Sequence, residues 1–377
     1  AKHSVEKQAA HHVDCFTTVS DITAHECKQL LDKEPDIVTP NGFEPNFVPE
    51  GKAYDKKRAA ARATLLKVAE KLTGCKIDKN ALLVSTSGRY EYRNKGIDVF
   101  IEAMNRVRTS GSLQRELVAF IMVPAWTRAP RADLKEVVEK NIPTEAPLQL
   151  PITHWLNNMA EDRVLNYIQS AGFSNSASEK LKIIFVPCYL DGKDGIFNQP
   201  YYDMLIGMDA TVYPSYYEPW GYTPLESCAF HTPCVTTDLS GFGQWTDEVL
   251  GHEGTLKDGV RVIHRDDSNF FGVAADMCST IREMLELAPR QRTAVRNAAT
   301  RLADKAQWEH FIRYYYEAYD FAIRRVEGVE KMVAQEAEEK VSAKKETAKP
   351  ARKCAAKKAT TTAAKPKATR TTTRKRK

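Results

Sequence analysis

The chain has 377 residues, of which 42% are hydrophobic, enough for two ordinary domains with a sizeable core. No apolar run approaches the length of a membrane span, and the first residues lack the pattern of a secretion signal. The net charge of +6 hides an asymmetry: residues 340–377 hold 15 lysines and arginines against one acid, a net of +14, so residues 1–339 carry −8. We therefore expect neither a membrane partner nor a surface for specific nucleic-acid binding.

Eight cysteines are scattered along the chain without a Cys-x-x-Cys pair. This spacing indicates neither a zinc site nor a disulfide framework, so we expect no metal and reduced thiols in a cytoplasm. Residues 340–377 alternate Ala, Lys and Thr with few large apolar groups. That basic tail is predicted to be disordered.

The first predicted elements are a helix, a strand and a second helix. The strand is expected within residues 13–19, and Ser20 with Thr23 can cap the helix that follows. A short strand at residues 37–39 then ends at the Pro-Asn-Gly turn of residues 40–42. This arrangement looks like the closing βα portion of a preceding domain.

Strands then alternate with helical stretches of ten residues or more. Six strands are predicted, at residues 82–86, 117–123, 181–186, 210–213, 234–237 and 260–264. Alternation of this kind predicts parallel βαβ units and an α/β fold with a doubly wound parallel sheet. Ligands of such sheets bind beyond the carboxyl ends of the strands.

The remaining helices and one irregular region complete the prediction. Residues 124–180 are broken by prolines and contain Trp126 and Trp155, which suggests an inserted substructure with its own small apolar cluster. Helices are predicted at residues 97–107, 268–287, 290–306 and 308–329.

Residues 214–226, Pro-Ser-Tyr-Tyr-Glu-Pro-Trp-Gly-Tyr-Thr-Pro-Leu-Glu, are the most informative segment. Gly221 marks a turn after the preceding strand. Thr223 can cap a helix whose first position is Pro224, and Glu226 stands where it completes a capping box. A strand, a glycine turn and a helix N-terminus are thus predicted in that order.

This order predicts an anion site. The backbone N–H groups of Gly221, Tyr222 and Thr223 and the positive end of the helix dipole would face one crevice, which suits a phosphate. Glu218 and Glu226 add two carboxylates, which are unusual at a plain phosphate site but suit sugar hydroxyls. The segment therefore predicts a nucleotide-sugar site.

Two cations follow an earlier strand. Arg89 and Lys95 are six residues apart in a loop flanked by glycines. Together they can neutralise a pyrophosphate, because arginine binds oxygens bidentately and lysine acts as a point charge. Spacing alone also allows two exposed charges that contact only water.

Residues 214–226 resemble the signature of the eukaryotic glycogen synthases, glycosyltransferase family 3, in which two glutamates frame a Pro-Trp-Gly-Tyr-Thr-Pro core. The similarity extends over about residues 1–325 and implies the GT-B fold. Other segments that resemble the family, in its order, are residues 16–20, 40–42, 87–96, 239–243 and 313–315.

The resemblance also implies a domain organisation. Residues 1–50 would end the N-terminal, acceptor-side domain, and residues 51–310 would form the C-terminal, Rossmann-like nucleotide-sugar-binding domain. A helix at residues 311–330 would pack back on the first domain. The chain is expected to be a fragment that lacks the N-terminal half and much of the acceptor site.

By resemblance the protein is an enzyme, a retaining glucosyltransferase that moves glucose from UDP-glucose to the nonreducing end of an α-1,4-glucan without a cofactor. Arg89 and Lys95 would hold the donor diphosphate and stabilise the leaving group. Glu218 would lie beside the donor glucose, either as an orienting and stabilising carboxylate or as a double-displacement nucleophile. Glu226 would contact the ribose.

The resemblance implies further substrate contacts, and for some of these residues another role stays open. Trp220 and Tyr222 either line the site or are core aromatics. Tyr201 matches a family tyrosine that stacks on uracil, although its neighbour Tyr202 is also a candidate. Lys2 stands where the family has an arginine that faces the diphosphate. Lysine keeps the positive charge but lacks the planar guanidinium that binds two oxygens at once.

One predicted helix carries four arginines, Arg290, Arg292, Arg296 and Arg301. Regulated family members have a denser cluster here that binds a sugar phosphate, but Ala298 stands in place of a further arginine. The predicted role of this helix is therefore a solvated face.

Two other functions remain open. The chain could be a related retaining GT-B transferase with another donor, such as ADP-glucose, or another acceptor. It could instead be a polyanion-binding module that uses the basic tail. A homo-oligomer is compatible with the sequence.

Overall fold

The computed structural model describes residues 2–347, with side chains to residue 340. The chain divides into two units, Ala1–Ile323 and Arg324–Lys377. The predicted disordered tail lies largely outside the described residues. Its first part is an exception, because residues 340–347 are helical, so the prediction of disorder from residue 340 was wrong there.

The N-terminal segment contains α1 (Lys2–His12), β1 (Thr17–Thr18), α2 (Asp21–Leu31) and β2 (Ile37–Val38). The predicted helix, strand and helix are confirmed, although the strand has two residues instead of seven. The two strands pair in parallel. The predicted cap of α2 is also confirmed, since Ser20 and Thr23 form a reciprocal capping box.

Six parallel strands form the central sheet in the described part of the chain, in the order β10-β9-β8-β3-β4-β7. These strands are β3 (Leu82–Ser87), β4 (Leu117–Met122), β7 (Leu181–Val186), β8 (Ala210–Val212), β9 (Cys234–Thr237) and β10 (Val260–Ile263). All six predicted strands are present, with ends that differ by at most one residue. The doubly wound parallel sheet is confirmed.

Helices cover both faces of this sheet, and alternate residues of β4 point to opposite clusters. One face packs on α4 and α10, and the other packs on α3 and α7. The helices are α3 (Gly51–Thr73), α4 (Ile97–Thr109), α7 (Tyr201–Leu205), α8 (Tyr222–Ala229), α9 (Gly241–Leu250), α10 (Phe270–Glu286), α11 (Pro289–Asp304) and α12 (Trp308–Thr347). Three short 3₁₀ helices are Pro45–Phe47, Met159–Glu161 and Leu256–Asp258.

The strand order reverses between β3 and β8, which are neighbours in the sheet. From β3 the chain runs through β4 to β7 on one side, and from β8 through β9 to β10 on the other. The loops after β3 and β8 therefore leave the sheet side by side. This is the topological switch point, where ligands of open α/β sheets bind.

The region between β4 and β7 contains an antiparallel pair of strands and two helices, β5 (Thr127–Pro130), α5 (Ala132–Glu139), β6 (His154–Leu156) and α6 (Arg163–Ser170). Its apolar residues join the clusters on the two faces of the main sheet. The predicted separate apolar cluster was therefore wrong. Trp126 is exposed, and Trp155 packs under the guanidinium of Arg131, 4.8 Å from the ring centroid.

The start of α12 contacts the N-terminal segment. The N–H of Trp308 donates to the carbonyl of Phe43 (3.1 Å), and the Phe43 N–H donates to the carbonyl of Ala306 (2.9 Å). The hydroxyl of Tyr315 donates to Oδ1 of Asn41 (3.2 Å). Within the first unit, the last elements of the chain thus return to residues 41–43.

Candidate functional site

A cavity of about 460 Å³ opens at the switch point. Four of the predicted site residues line it: Arg89, Tyr201, Thr223 and Glu226. The other lining residues are Ser87, Gly88, Tyr90, Met122, Pro124, Cys188, Tyr189, Leu190 and Asp191. Its position beyond the carboxyl ends of β3, β4 and β7 agrees with the predicted place of a ligand.

Lys95 and Glu218 meet across the switch point. The Nζ atom of Lys95 donates to Oε2 of Glu218, in an ion pair that joins the loop after β3 to the loop after β8. The side chains are only 13% and 19% exposed, respectively. A shielded pair interacts more strongly than one in open solvent. The family resemblance places Glu218, Arg89 and Lys95 around one donor; Lys95 and Glu218, 123 positions apart, do meet, but neither is among the described residues that line the cavity, which contains Arg89.

The two loops are also tied through their backbones. Gly96 has φ of +63°, and a Cβ atom there would collide with the carbonyl of Pro214. The N–H of Tyr216 donates to the carbonyl of Asn94 (2.7 Å), and the guanidinium of Arg265 donates to the Pro214 carbonyl. Lys95 and Glu218 are thus presented by a rigid junction.

Arg89 lies at the rim of the cavity. Its side chain is 76% exposed and pairs with Glu91, with Nη1 2.9 Å from Oε1. Among the described residues, it forms no hydrogen bond or ion pair with Lys95 or Glu218. A bound anion would compete with Glu91 for this guanidinium, and the role of Arg89 stays a prediction.

The predicted capping box at α8 was wrong. The helix begins two residues earlier than predicted, at Tyr222, and Gly221 is the N-cap residue with φ of +109°. No side chain caps the helix, because its N-cap residue is a glycine. Glu226 lines the cavity, and its Oε1 accepts a hydrogen bond from the Tyr202 hydroxyl (2.7 Å). The first helical bond runs from Leu225 N–H to the Gly221 carbonyl.

This geometry leaves the start of α8 able to bind an anion. The N–H groups of Tyr222 and Thr223 precede the first helical bond and have no acceptor within the helix. Thr223 lines the cavity. The left-handed conformation at Gly221 is one that a non-glycine residue rarely adopts.

Glu226 is mostly buried. Burial raises the pKa of its carboxyl, and the hydrogen bond from Tyr202 partly opposes that shift. Tyr202 stacks on Phe230, with ring centroids 5.1 Å apart, so one face of its ring is already covered. Tyr201 lines the cavity, and its hydroxyl hydrogen-bonds to Oγ of Ser87 (2.7 Å). Tyr201 is therefore the better placed of the two tyrosines.

The sequence prediction missed Tyr189. Its side chain is 79% exposed and lines the cavity directly after β7. A large exposed aromatic at the carboxyl end of a strand is a candidate for stacking on a base. The signal was available, because Tyr189 follows the predicted strand at residues 181–186.

Two predicted substrate-binding residues lie elsewhere. Trp220 is buried against Phe242, Trp245 and Phe311, with ring centroids 5.9 to 6.3 Å apart, so the structure favours the core alternative for it. Lys2 is exposed on α1, where it pairs with Glu6 (3.7 Å). It is not among the described residues that line the cavity. Tyr222 is exposed, which does not support a core role.

The solvated face predicted for α11 is wrong at one position. Arg296 is largely buried, and its Nη2 donates to the hydroxyl of Tyr54. Burial, followed by the charge of Arg58, lowers its pKa. Arg290 and Arg301 are exposed as predicted.

Within the described residues, one group of side chains approaches metal-binding geometry. The ligand atoms of His154, Cys188 and Asp194 lie within 4.8 Å of one another. Both ring nitrogens of His154 already have partners, the Oγ1 of Thr153 and the carbonyl of Asp194. The Asp194 carboxylate accepts three backbone N–H bonds. Burial raises the pKa of Cys188 to about 12, which disfavours a thiolate. This group is better explained as a structural network.

The strand order and the cavity at its switch point define the class: the chain has an open, doubly wound α/β fold with a ligand-sized crevice at the carboxyl ends of its strands. Sucrose-phosphate synthase from Thermosynechococcus elongatus aligns over 88% of this chain and 62% of its own, with a TM-score of 0.48 and 18% identity. The chain belongs to the glycogen synthase family, whose family model, described as Glycogen synthase, matches residues 1–140 and 131–376.

Curated relatives agree with this assignment. Glycogen [starch] synthase of Neurospora crassa is 31% identical over 86% of this chain and 54% of its own length. Glycogen [starch] synthase isoform 2 of Saccharomyces cerevisiae is 30% identical over 86% and 55%. The chain thus spans about half the length of the curated relatives it matches.

Proposed function

We propose that this chain contributes the donor-binding site of a retaining glucosyltransferase that transfers glucose from UDP-glucose to the nonreducing end of an α-1,4-glucan, as in glycogen synthesis. The observation that carries the proposal is the shielded Lys95–Glu218 pair at the switch point of a parallel sheet. A cation and a carboxylate held together there match the needs of a donor with a diphosphate and a sugar.

The cavity can hold the nucleotide. Its volume of about 460 Å³ falls in the range of small-molecule sites. We assign the diphosphate to the free N–H groups at the start of α8, with Gly221 allowing close approach. The ribose would contact Glu226, and the base would stack on Tyr189 or Tyr201. Lys2 stays a proposed diphosphate contact, although its present partner is Glu6.

Arg89 and Lys95 would act on the leaving group. Transfer of glucose releases a nucleoside diphosphate, and fixed cations stabilise the charge that develops on it. Lys95 is paired with Glu218, and a bound diphosphate would draw Lys95 toward the phosphates. Glu218 would then face the sugar, where a carboxylate stabilises oxocarbenium character. Both the orienting and the nucleophilic role are compatible with this arrangement.

The wider biology follows from the family. We propose that residues 1–50 belong with an acceptor-side domain, residues 51–310 form the donor-binding domain and residues 311–330 pack back on the first domain. We also propose a cytoplasmic location, where glycogen synthases generally act, and assembly of several copies. The described residues contain no helix both long and apolar enough to cross a membrane.

Calorimetry tests the donor assignment. The folded chain is expected to bind UDP and to bind UDP-glucose more tightly than ADP-glucose. Equal affinity for both sugar nucleotides would favour a related transferase with another donor. Absence of binding by UDP in a folded sample would contradict a donor site.

A transfer assay tests the acceptor assignment. With a maltooligosaccharide and UDP-glucose, the chain alone is expected to show little or no elongation, because it spans about half of its relatives. Robust elongation by the chain alone would contradict an incomplete acceptor site.

A further inference from the structure

Tyr217 directly precedes Glu218, yet the proposed reaction gives it no role. Its hydroxyl donates a hydrogen bond to Oε2 of Glu26 at 2.5 Å. Glu26 lies on α2, 191 positions away in the sequence. This bond therefore joins the N-terminal segment to the loop that carries the proposed catalytic carboxylate.

The backbone of that loop is fixed on both sides of Tyr217. The N–H of Tyr216 donates to the carbonyl of Asn94 (2.7 Å), and the N–H of Glu218 donates to the carbonyl of Leu239 (3.0 Å). The Glu218 carbonyl accepts from the N–H of Gly241 (3.0 Å). The main chain around Tyr217 is thus held by the sheet loops, and the hydroxyl at the end of its side chain is bonded to α2.

Helix α2, which carries Glu26, is itself held in place. Ser20 and Thr23 cap the start of α2 reciprocally. The side chain of Ser20 packs against Gly241, where an added Cβ atom would lie 2.7 Å from the Ser20 Cβ. The helix that carries Glu26 thus rests on the same β9–α9 connection to which the backbone of Glu218 is bonded.

The charges around Tyr217 keep its hydroxyl a donor. Burial, then the hydrogen bond to Glu26, raises the pKa of Tyr217, and the charge of Glu218 adds to the shift. The neutral phenol donates to Glu26. Glu218 is left with Lys95 as its partner.

We propose that the Tyr217–Glu26 hydrogen bond sets the position of Glu218 relative to the donor sugar, so that Tyr217 and Glu26 are positioning residues. This inference rests on the proposed donor site. It predicts a larger effect on binding the sugar than on binding the nucleotide, because the bond acts on Glu218, which would face the sugar, and neither Tyr217 nor Glu26 lines the cavity assigned to the nucleotide.

Calorimetry of the full chain with UDP and UDP-glucose separates these effects. Tyr217→Phe and Glu26→Ala are each expected to weaken UDP-glucose binding about fivefold while the Kd for UDP stays within about twofold. The double variant is expected to be no weaker than either single variant, since both remove one bond. Glu26→Gln should retain affinity, because its amide oxygen can accept the same hydrogen bond.

The matched control is Tyr319→Phe, which removes the hydroxyl of an exposed tyrosine. It should change neither affinity. Equal weakening of UDP and UDP-glucose in both Tyr217→Phe and Glu26→Ala, or no change in either, would overturn the positioning role while leaving the donor site intact. Absence of UDP binding by the unaltered chain would instead overturn the donor site and this inference with it.

Discussion

At the scale of single residues, the Lys95–Glu218 pair is a competitor for the donor diphosphate. Because Lys95 must leave Glu218 to reach a phosphate, Glu218→Gln is expected to strengthen UDP binding about threefold. Lys95→Met is expected to weaken it about tenfold or more, since a charge-assisted contact is lost. Calorimetry measures both changes. Glu283→Gln, at an exposed position on α10, is the control.

Glu226 is a site residue whose buried, charged carboxylate lowers the stability of the folded state. Its pKa is raised by burial, so the folded state holds its proton to higher pH than the unfolded state does. The stabilisation that this bound proton gives the folded state is fully present below the unfolded-state pKa. It is lost as the pH rises through the folded-state pKa. Glu226→Gln should therefore raise the melting temperature at pH 7 by about 2 °C and weaken UDP binding. A fall in melting temperature of Glu226→Gln at pH 7 would contradict this explanation. So would a change in melting temperature that is the same at pH 4 and pH 7.

At the scale of elements, Asp209 fastens α3 to the start of β8 and β3. Its oxygens accept from Arg58 (2.6 Å), Arg62 (2.8 Å) and the N–H of Leu83 (3.0 Å). All three side chains are mostly shielded. Asp209→Asn leaves two shielded arginines without their counter-ion and should reduce the free energy of unfolding by about 3 kcal/mol.

The matched control is a second aspartate that pairs with α3. Asp203 pairs with Lys57 of α3 at 2.9 Å, but both side chains are exposed. Asp203→Asn should cost less than about 1 kcal/mol. Urea unfolding of both variants measures the difference, and equal losses would show that burial of the Asp209 cluster does not matter.

The elements also show what sequence patterns can predict. β4 was found because it is a continuous apolar run, and β7 because it is apolar except for Lys182; the structure buries every residue of both. No element was assigned to α3 because its alanines, lysines and arginines give a weak apolar pattern. Its buried face depends on Leu65, Val68 and Leu72 packing against the sheet.

The site was predicted in part for similar reasons. Motif resemblance brought together Arg89, Lys95 and Glu218, but only the fold could show that Lys95 is paired with Glu218 and that Arg89 is paired with Glu91. The capping box at α8 failed because local spacing did not reveal that the helix begins two residues earlier, after a glycine N-cap, and that Glu226 bonds to Tyr202.

At the scale of the whole molecule, loops from both halves of the sheet and the N-terminal segment meet near one crevice. The two halves of the sheet place their loops at the switch point, and the N-terminal segment contacts one of those loops through Glu26 and Tyr217. A compact first unit, Ala1–Ile323, contains all of these residues. Donor binding is therefore expected to stabilise this unit as a whole, by about 2.7 kcal/mol at a UDP concentration one hundred times its Kd.

A crystal structure of the chain with UDP tests the central claim most directly. We predict the nucleotide in the cavity lined by Ser87, Tyr189 and Glu226, with its diphosphate at the start of α8 and Lys95 turned from Glu218 toward a phosphate oxygen. UDP bound away from this cavity, or bound there with the Lys95–Glu218 pair unchanged, would contradict the account.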